Sequence, residues 1–378
     1  MPSDRLSNAP TTRRRYLVLA GAAVGASVGT AGCGGVAARV RAPRIEWRAQ
    51  VEGRSVRPPL VRHEGRVLAM GEHDLVAIDA ADGDRAWISR STYFDRTFVG
   101  PVVADGVVVV GEDTHAGFRS GGERVWSRED STFRPLDTVG GLALGASDRE
   151  GAEIAAVDPA DGTLAWGAAP DGWSNDGARA VRDAVAAGPG VVAVSANSRL
   201  AGVDADGSVR WTADAQWDTH GPGRPTLAAD VSTVVAASGA VAGFDAATGE
   251  RRWRRVLPDF ATDVTVADGV AVVSVEGDTP KVDSWEEPGG VVAYDLATGA
   301  ERWRTPLDAP AAAPGTGLGS VVVGTEAGTL VGLDREDGAV EWRRPVGDAV
   351  HAPPVGGSDR LFVGVRRDGT AAVVRLDR

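Results

Sequence analysis

The sequence predicts an all-β fold, an eight-bladed β-propeller of four-stranded antiparallel blades whose last blade is closed by the N-terminal strand. Three observations lead to it: tryptophans recur about every 40 residues, a glycine stands four residues before seven of them, and the intervening chain is divided into short apolar runs. The recurring tryptophans, which we expect to dock neighbouring blades, are Trp47, Trp87, Trp126, Trp166, Trp211, Trp253, Trp303 and Trp342.

The repeat that ends at Trp87 shows how one blade is encoded. Its short apolar or β-branched runs are separated by turns rich in glycine and aspartate, a pattern typical of antiparallel strands. No window keeps a helical spacing of apolar residues long enough to form an amphipathic helix. Because one four-stranded sheet cannot bury both of its faces, the repeats are expected to stack around an axis.

The turn before each tryptophan recurs with the same chemistry. In the segment from Asp295 to Trp303, the aspartate can accept hydrogen bonds from backbone N–H groups of the turn. Gly299 supplies the residue with positive φ at no steric cost. In the repeat that ends at Trp126, Phe118 stands where aspartate is expected, so this copy is predicted to be degenerate.

The pattern Asp-x-x-Thr-Gly-x-x-x-Trp, present at Asp295 to Trp303, resembles the repeat of the quinoprotein (pyrroloquinoline quinone) β-propellers. The resemblance covers nearly the whole chain after residue 43. That family includes dehydrogenases and non-catalytic relatives such as the lipoprotein of the bacterial outer-membrane barrel-assembly machinery, and this chain is most similar to the non-catalytic lipoproteins. The resemblance implies the fold; one fold hosts many functions.

The number of blades follows from the two ends of the repeat region. Seven complete repeats end at the tryptophans from Trp87 to Trp342, and the chain then runs to Arg378 without the outer strand of an eighth. The segment Arg44–Trp47 is an outer strand without a repeat of its own. Pairing the two would seal the ring and remove an exposed sheet edge, so residues 44–378 are predicted to form one propeller domain.

The first residues are predicted to direct export. Residues 1–32 are predicted to form a twin-arginine lipoprotein signal peptide, in which Arg13 and Arg14 resemble the twin-arginine export signal. The apolar run from 17 to 28 is rich in glycine and alanine. A transmembrane anchor is the alternative, but this run is short for spanning about 30 Å of hydrocarbon.

Cys33 is the only cysteine of the chain. The preceding Thr30-Ala31-Gly32 resembles a lipobox, which makes Cys33 the predicted lipid attachment site. Residues 33–43 would then form a lipidated tether that reaches at most about 35 Å when extended. We therefore expect the protein on the outer face of the cytoplasmic membrane, in contact with the membrane through its lipid anchor only.

Charge argues against nucleic acid as a partner. The formal net charge is −12, and the first 32 residues contribute four arginines and one aspartate. The chain without them would therefore carry −15. Repulsion from phosphate groups would oppose nucleic-acid binding.

The segments that interrupt the repeat are predicted to lie on one face of the ring. They span 167–183, 213–223 and 277–290, and they contain Trp173, Trp217, His220 and Trp285. A binding rim for a protein, glycan or small ligand is one interpretation, because tryptophan is enriched at binding hot spots. The alternative is that each indole packs its own loop onto the top of a blade.

No catalytic residue and no metal site is predicted. The chain lacks the nucleophile elbow, P-loop and zinc-protease motifs, and its histidines match no metal spacing. Pyrroloquinoline quinone is not expected as a cofactor, because the enzymes of the family use a vicinal disulfide and this chain has one cysteine. The predicted function is a non-catalytic binding or scaffold platform for an envelope protein or polymer. The alternative is a quinone-dependent dehydrogenase or a small-ligand receptor that uses the central channel.

Overall fold

A computed structural model of the protein shows eight antiparallel sheets and no helix in the part of the chain that it describes. The all-β, eight-bladed prediction is confirmed. The described residues are 41–90, 99–111, 113–129, 132–149, 151–171, 173, 181–188, 190–195, 199–215, 225–277 and 289–378.

Blades 1 to 4 are four-stranded meanders whose strands pair in chain order. Blade 1 consists of β2 (Arg57–His63), β3 (Arg66–Met70), β4 (Asp74–Asp79) and β5 (Arg85–Arg90). Blade 2 consists of β6 (Val102–Ala104), β7 (Val107–Gly111), β8 (His115–Arg119) and β9 (Arg124–Arg128). Blade 3 consists of β10 (Phe133–Val139), β11 (Leu142–Ser147), β12 (Ile154–Val157) and β13 (Leu164–Ala168). Blade 4 consists of β14 (Val181–Ala187), β15 (Gly190–Ser195), β16 (Arg199–Asp204) and β17 (Val209–Asp214).

Blades 5 to 7 repeat this order, and blade 8 takes its outer strand, β1 (Arg44–Val51), from the other end of the chain. Blade 5 consists of β18 (Thr226–Ala229), β19 (Thr233–Ala237), β20 (Ala240–Asp245) and β21 (Arg251–Val256). Blade 6 consists of β22 (Ala261–Ala267), β23 (Val270–Glu276), β24 (Gly289–Asp295) and β25 (Glu301–Pro306). Blade 7 consists of β26 (Ala311–Gly317), β27 (Ser320–Thr325), β28 (Thr329–Leu333) and β29 (Val340–Pro345). Blade 8 consists of the short β30 (Ala349–Val350) and β31 (Val355–Gly356), then β32 (Arg360–Arg367), β33 (Thr370–Asp377) and β1.

The core of the protein lies between the blades. Alternate side chains of a strand point to opposite faces of its sheet, and the second and third strands of each blade are apolar on both faces. The buried residues therefore form eight clusters in the described chain, and each cluster is shared by two adjacent blades. We call each of these interfaces a seam.

The periodic tryptophans lie in the seams. The Trp253 side chain, 6% exposed, lies against Gly299 of the next blade, where a Cβ atom would approach the indole to 2.4 Å. Gly299 has φ +65°, so a side chain there would also strain the backbone. On its own blade Trp253 stands opposite Gly243, and its Nε1 donates to the Leu296 carbonyl at 2.8 Å. The same bond joins Trp87 to Ser120, Trp126 to Pro159, Trp211 to Ala246 and Trp303 to Arg335.

The turn of blade 2 corrects one expectation. Phe118 does not occupy the aspartate position; it lies on β8 and is buried. The turn is one residue shorter than most, because the Gly122 N–H donates to the Arg119 carbonyl, as Gly207 does to Asp204 in blade 4. Arg119 therefore stands at the position that aspartate holds in the other turns.

The ring closes between the two ends of the described chain, as the sequence predicted. Strand β1 pairs antiparallel with β33, from Arg44 opposite Asp377 to Val51 opposite Ala371. The closing seam differs from the others because Arg375 donates to the Ala80 carbonyl at 3.0 Å, taking the acceptor position that an indole N–H uses elsewhere.

At the closing seam, the Trp47 Nε1 atom has no hydrogen-bond partner within the described residues. Its ring still packs on Gly83 of blade 1 and near Phe362, with ring centroids 5.8 Å apart. The indole keeps its packing role there without its hydrogen bond.

We predict that Val51→Asp lowers the free energy of unfolding by about 3–5 kcal/mol, because it places an unpaired carboxylate among the buried residues of the closing seam. Gln50→Asp, at the exposed neighbouring position of β1, serves as the control and should change the free energy by less than about 0.5 kcal/mol. Denaturant titration measures both. Equal effects of the two substitutions would contradict closure by β1.

Candidate functional site

The two faces of the ring differ in the length of their connections. We define the upper face as the face of the ring that carries two kinds of connection. One runs from the outer strand of a blade to the next blade, and the other runs from the second strand of a blade to its third. The four longest intervals between consecutive strands all lie there, at 91–101, 169–180, 215–225 and 277–288. The intervals 169–180, 215–225 and 277–288 correspond to the insertions that the sequence analysis identified. The interval 91–101 was missed there, because its repeat keeps the regular tryptophan spacing.

Among the predicted rim residues, Trp173 lies in the core. Its side chain is 7% exposed and packs in the seam between blades 3 and 4 with Val181 and Ala201. The Trp173 backbone N–H donates to the Pro170 carbonyl at 3.2 Å, which closes a turn within the loop. This favours the packing interpretation for Trp173. Trp217, His220 and Trp285 lie outside the described residues.

The described residues form a hollow at the axis of the ring. A cavity of about 550 Å³ is bounded by the upper ends of the inner strands of blades 6, 7, 8 and 1. A second cavity of about 450 Å³ adjoins it and shares Pro58 and His351. The polar side chains that line the two are Arg57, Glu72, His73, Thr262, Asp263, Glu326, His351 and Arg366.

His351 stands between these two cavities. Burial lowers the pKa of its imidazole, the nearby Arg366 lowers it further, and Glu326 opposes both effects. Its buried Nε2 atom has no hydrogen-bond partner within the described chain. A neutral imidazole in this position can donate to or accept from a small polar ligand in the cavity. His115, by contrast, is buried against Trp126 and Phe133, away from the axis.

Three inner strands carry a half-buried aspartate just after a register shift in the sheet. Asp137, Asp183 and Asp263 each accept a hydrogen bond from the next residue's backbone N–H, at 2.8, 2.9 and 2.8 Å. Two of them also reach the adjacent blade, where Asp137 accepts from Ala186 N at 2.6 Å and Asp183 from Leu227 N at 2.7 Å. These carboxylates therefore tie blades together beside the axis.

Burial makes these carboxyl groups weak acids. It raises the pKa of Asp183 from 3.8 to about 7 and that of Asp263 to about 6, while the backbone hydrogen bonds oppose the change. Asp137 also has a raised pKa, again because of burial. The signal in the sequence was a single acidic residue within an otherwise apolar inner strand, as in β14 and β22.

We predict that the Asp183 carboxyl makes the protein less stable as pH rises from about 4 to about 7. Because the folded-state pKa lies above the unfolded value of 3.8, the folded protein binds more protons than the unfolded chain in this pH range. The stabilisation that comes from this proton binding is lost as the carboxyl group deprotonates. Each pKa unit corresponds to about 1.4 kcal/mol. Asp183→Asn should flatten the slope of unfolding free energy against pH, measured by denaturant titration. Asp161→Asn, in an exposed turn, is the control; an unchanged slope in Asp183→Asn would contradict the assignment.

Neither a metal-binding cluster nor a membrane-spanning helix is present in the described residues. No group of three or more histidine, cysteine, aspartate or glutamate side chains there is arranged to hold a metal ion. None of the described segments is a helix of the length and apolarity needed to cross a membrane. Cys33, Arg13 and Arg14 lie outside the described residues.

Comparison with solved structures supports the fold. BamB from Moraxella catarrhalis is 19% identical, with a TM-score of 0.67, and the match covers 89% of this chain and 100% of that one. Quinohemoprotein alcohol dehydrogenase from Comamonas testosteroni is 16% identical, with a TM-score of 0.66 and coverage of 90% and 77%. The computationally designed Ika8 protein is 18% identical, with a TM-score of 0.66 and coverage of 86% and 98%. At these identities the similarity shows a shared fold.

The sequence also matches the model of a protein family. The family described as outer membrane protein assembly factor BamB matches residues 36–134, 150–314 and 287–378. No curated protein matches the sequence. The matched segments include the periodic tryptophans, the recurring turns and the strands at both ends of the closing seam. The chain therefore belongs to the family described as outer membrane protein assembly factor BamB, a family of quinoprotein-like β-propeller repeats.

Proposed function

We propose that the protein is a non-catalytic scaffold of the cell envelope that binds another envelope protein or polymer through the upper face of its propeller. The observation that carries this proposal is the placement of the four longest connections on one face of the ring. Loops held by a rigid scaffold are the usual site of binding in repeat proteins.

The rigidity of the ring supports this role. Each blade is tied to the next by a buried apolar cluster, and in most seams also by an indole hydrogen bond. The upper-face connections therefore start and end at fixed points, so a partner that contacts several of them loses little conformational freedom of the scaffold on binding.

The axial cavity favours a second candidate function, a receptor for a small polar ligand. The cavity offers a carboxyl group at Asp263, a carboxylate at Glu326, a guanidinium at Arg366 and the imidazole of His351. Calorimetric titration with small zwitterions and with pyrroloquinoline quinone plus calcium, followed by a dye-reduction assay, separates the candidates. Dye reduction would support a dehydrogenase and would contradict the scaffold.

We predict that Trp217→Ala combined with Trp285→Ala reduces partner binding by about a thousandfold, because tryptophans at binding hot spots contribute about 2 kcal/mol or more each. Affinity capture from native membranes by the full chain, quantified for each protein retained, measures the effect. Trp173 is left intact because its truncation would open a cavity in a seam.

The control variant combines Glu250→Ala with Glu336→Ala, two exposed residues in turns of the lower face. It should capture the same partners as the parent chain. Equal capture by the tryptophan variant, with an unchanged unfolding midpoint, would exclude the upper face as the binding surface.

The same proposal includes the location of the protein. A twin-arginine leader with Arg13 and Arg14 and a lipid on Cys33 would place the propeller at the outer face of the cytoplasmic membrane, at the end of the tether of residues 33–43. The diacylglyceryl thioether expected on such a cysteine carries two acyl chains, which is enough for stable anchoring, whereas a single chain gives only marginal membrane binding.

We predict that Cys33→Ser shifts the protein from the membrane fraction to the medium, since the thioether to lipid can form only on the cysteine sulfur. Fractionation followed by immunoblotting measures the shift, and Ser27→Ala within the leader serves as the control. Retention of Cys33→Ser in the membrane fraction after a high-salt wash, which removes proteins held only by charge, would contradict the anchor.

A further inference from the structure

A groove of about 630 Å³ lies at the closing seam. Its floor is apolar and buried, and is formed by Ala49, Ile78, Ala371 and Ala372. Its walls are polar and are formed by Arg48, Gln50, Arg85, Arg367, Asp368 and Thr370. We call it the closing groove.

Arg48 and Arg367 of the closing groove repel each other, and Arg344, outside the groove, adds to the positive charge around Arg48. Desolvation lowers the pKa of Arg48, and the positive charges of Arg367 and Arg344 lower it further. Three guanidinium groups thus share one region of a chain whose net charge is −12. Such clustering costs free energy unless an anion neutralises it.

In blades 6 and 7 the corresponding arginine has a carboxylate partner. Arg48 follows its docking tryptophan directly, as Arg304 and Arg343 do in blades 6 and 7. Arg304 pairs with Glu301 at 2.6 Å and Arg343 with Asp308 at 3.1 Å.

Arg48 has no carboxylate partner among the described residues, and neither do Arg85 and Arg344. Arg367 pairs only with its neighbour Asp368, at 3.4 Å. Charged side chains on outer strands also prevent sheets from pairing edge to edge, but that role does not require arginines to converge on one cavity.

We propose that the closing groove binds a phosphate group, held by the guanidinium groups of Arg48, Arg85 and Arg367. Arginine presents a planar fork of N–H donors that matches phosphate oxygens in two-point hydrogen bonds. Gln50 and Thr370 add an amide and a hydroxyl donor on the same walls. The phosphate is either a free anion or part of a lipid headgroup.

The position of the groove favours a headgroup as the source. Strand β1, which carries Arg48, is the strand that continues from the proposed tether. The eleven residues 33–43 confine Arg44 to within about 35 Å of a lipid on Cys33. Anionic headgroups attract basic residues close to a membrane by about 1 kcal/mol for each arginine. This choice of source rests on the proposed anchor, whereas the phosphate site itself does not.

The test uses the full chain with Cys33→Ser, so that membrane binding does not depend on the lipid. Inorganic phosphate should raise its melting temperature relative to sodium chloride at equal ionic strength, because a ligand of the folded state stabilises it. The chain should also cosediment with vesicles of phosphatidylcholine that contain about one part in three of phosphatidylglycerol, and not with phosphatidylcholine alone. Arg48→Gln with Arg367→Gln should abolish the phosphate effect and weaken vesicle binding about thirtyfold.

The matched control is Arg251→Gln with Arg255→Gln on β21, which removes the same charge from an outer strand three blades away. It should behave as the parent chain. Stabilisation by phosphate without vesicle binding would support the site and assign it to free phosphate. The proposal is overturned if phosphate has no effect and vesicles do not bind, or if both variants lose binding equally. The phosphate and vesicle measurements do not test partner capture by the upper face, which is measured in a separate experiment.

Discussion

The structure depends on one contact, repeated from seam to seam: an indole laid against a glycine in the turn of the next blade. At Trp253 the space that a Cβ atom on Gly299 would need is filled by the ring itself. The glycine also provides the positive φ of the turn, so one residue satisfies two requirements at once. The tryptophan and the glycine recur together because neither works alone, and this pairing sets the angle at which one blade follows another.

This constraint explains why the core is divided among seams. A ring of more than 300 residues exceeds the size at which a single hydrophobic core stays compact. Eight separate clusters avoid the problem, because each needs only the two blades beside it. The axis is left for polar groups, and the half-buried carboxyl groups of Asp137 and Asp183 lie there, bridging blades through backbone N–H donors.

Much of the fold was predictable, because period and turn chemistry are local properties of the sequence. Blade number and closure by β1 followed from counting repeats. Other features depend on contacts between distant residues. Because the turn of blade 2 is one residue shorter than most, Phe118 lies on a strand and not in the turn. The burial of Trp173 depends on how its loop folds back onto the blade. The raised pKa of Asp183 depends on packing from the next blade. The closing groove joins residues from both ends of the chain, so no window of sequence displays it.

Closure by β1 has a consequence for the order in which the protein assembles. Val51 and Ala371 are neighbours in blade 8, yet almost the entire propeller is translated between them. During synthesis β1 remains unpaired while the seven other sheets can form. The contacts between β1 and β33 form last, and they join residues that are the most distant in sequence. An unpaired strand edge is a template for association with other chains, so the interval before β33 appears is the period of greatest aggregation risk. The arginine and glutamate side chains of β1 give this unpaired edge a charge, which opposes association with other chains.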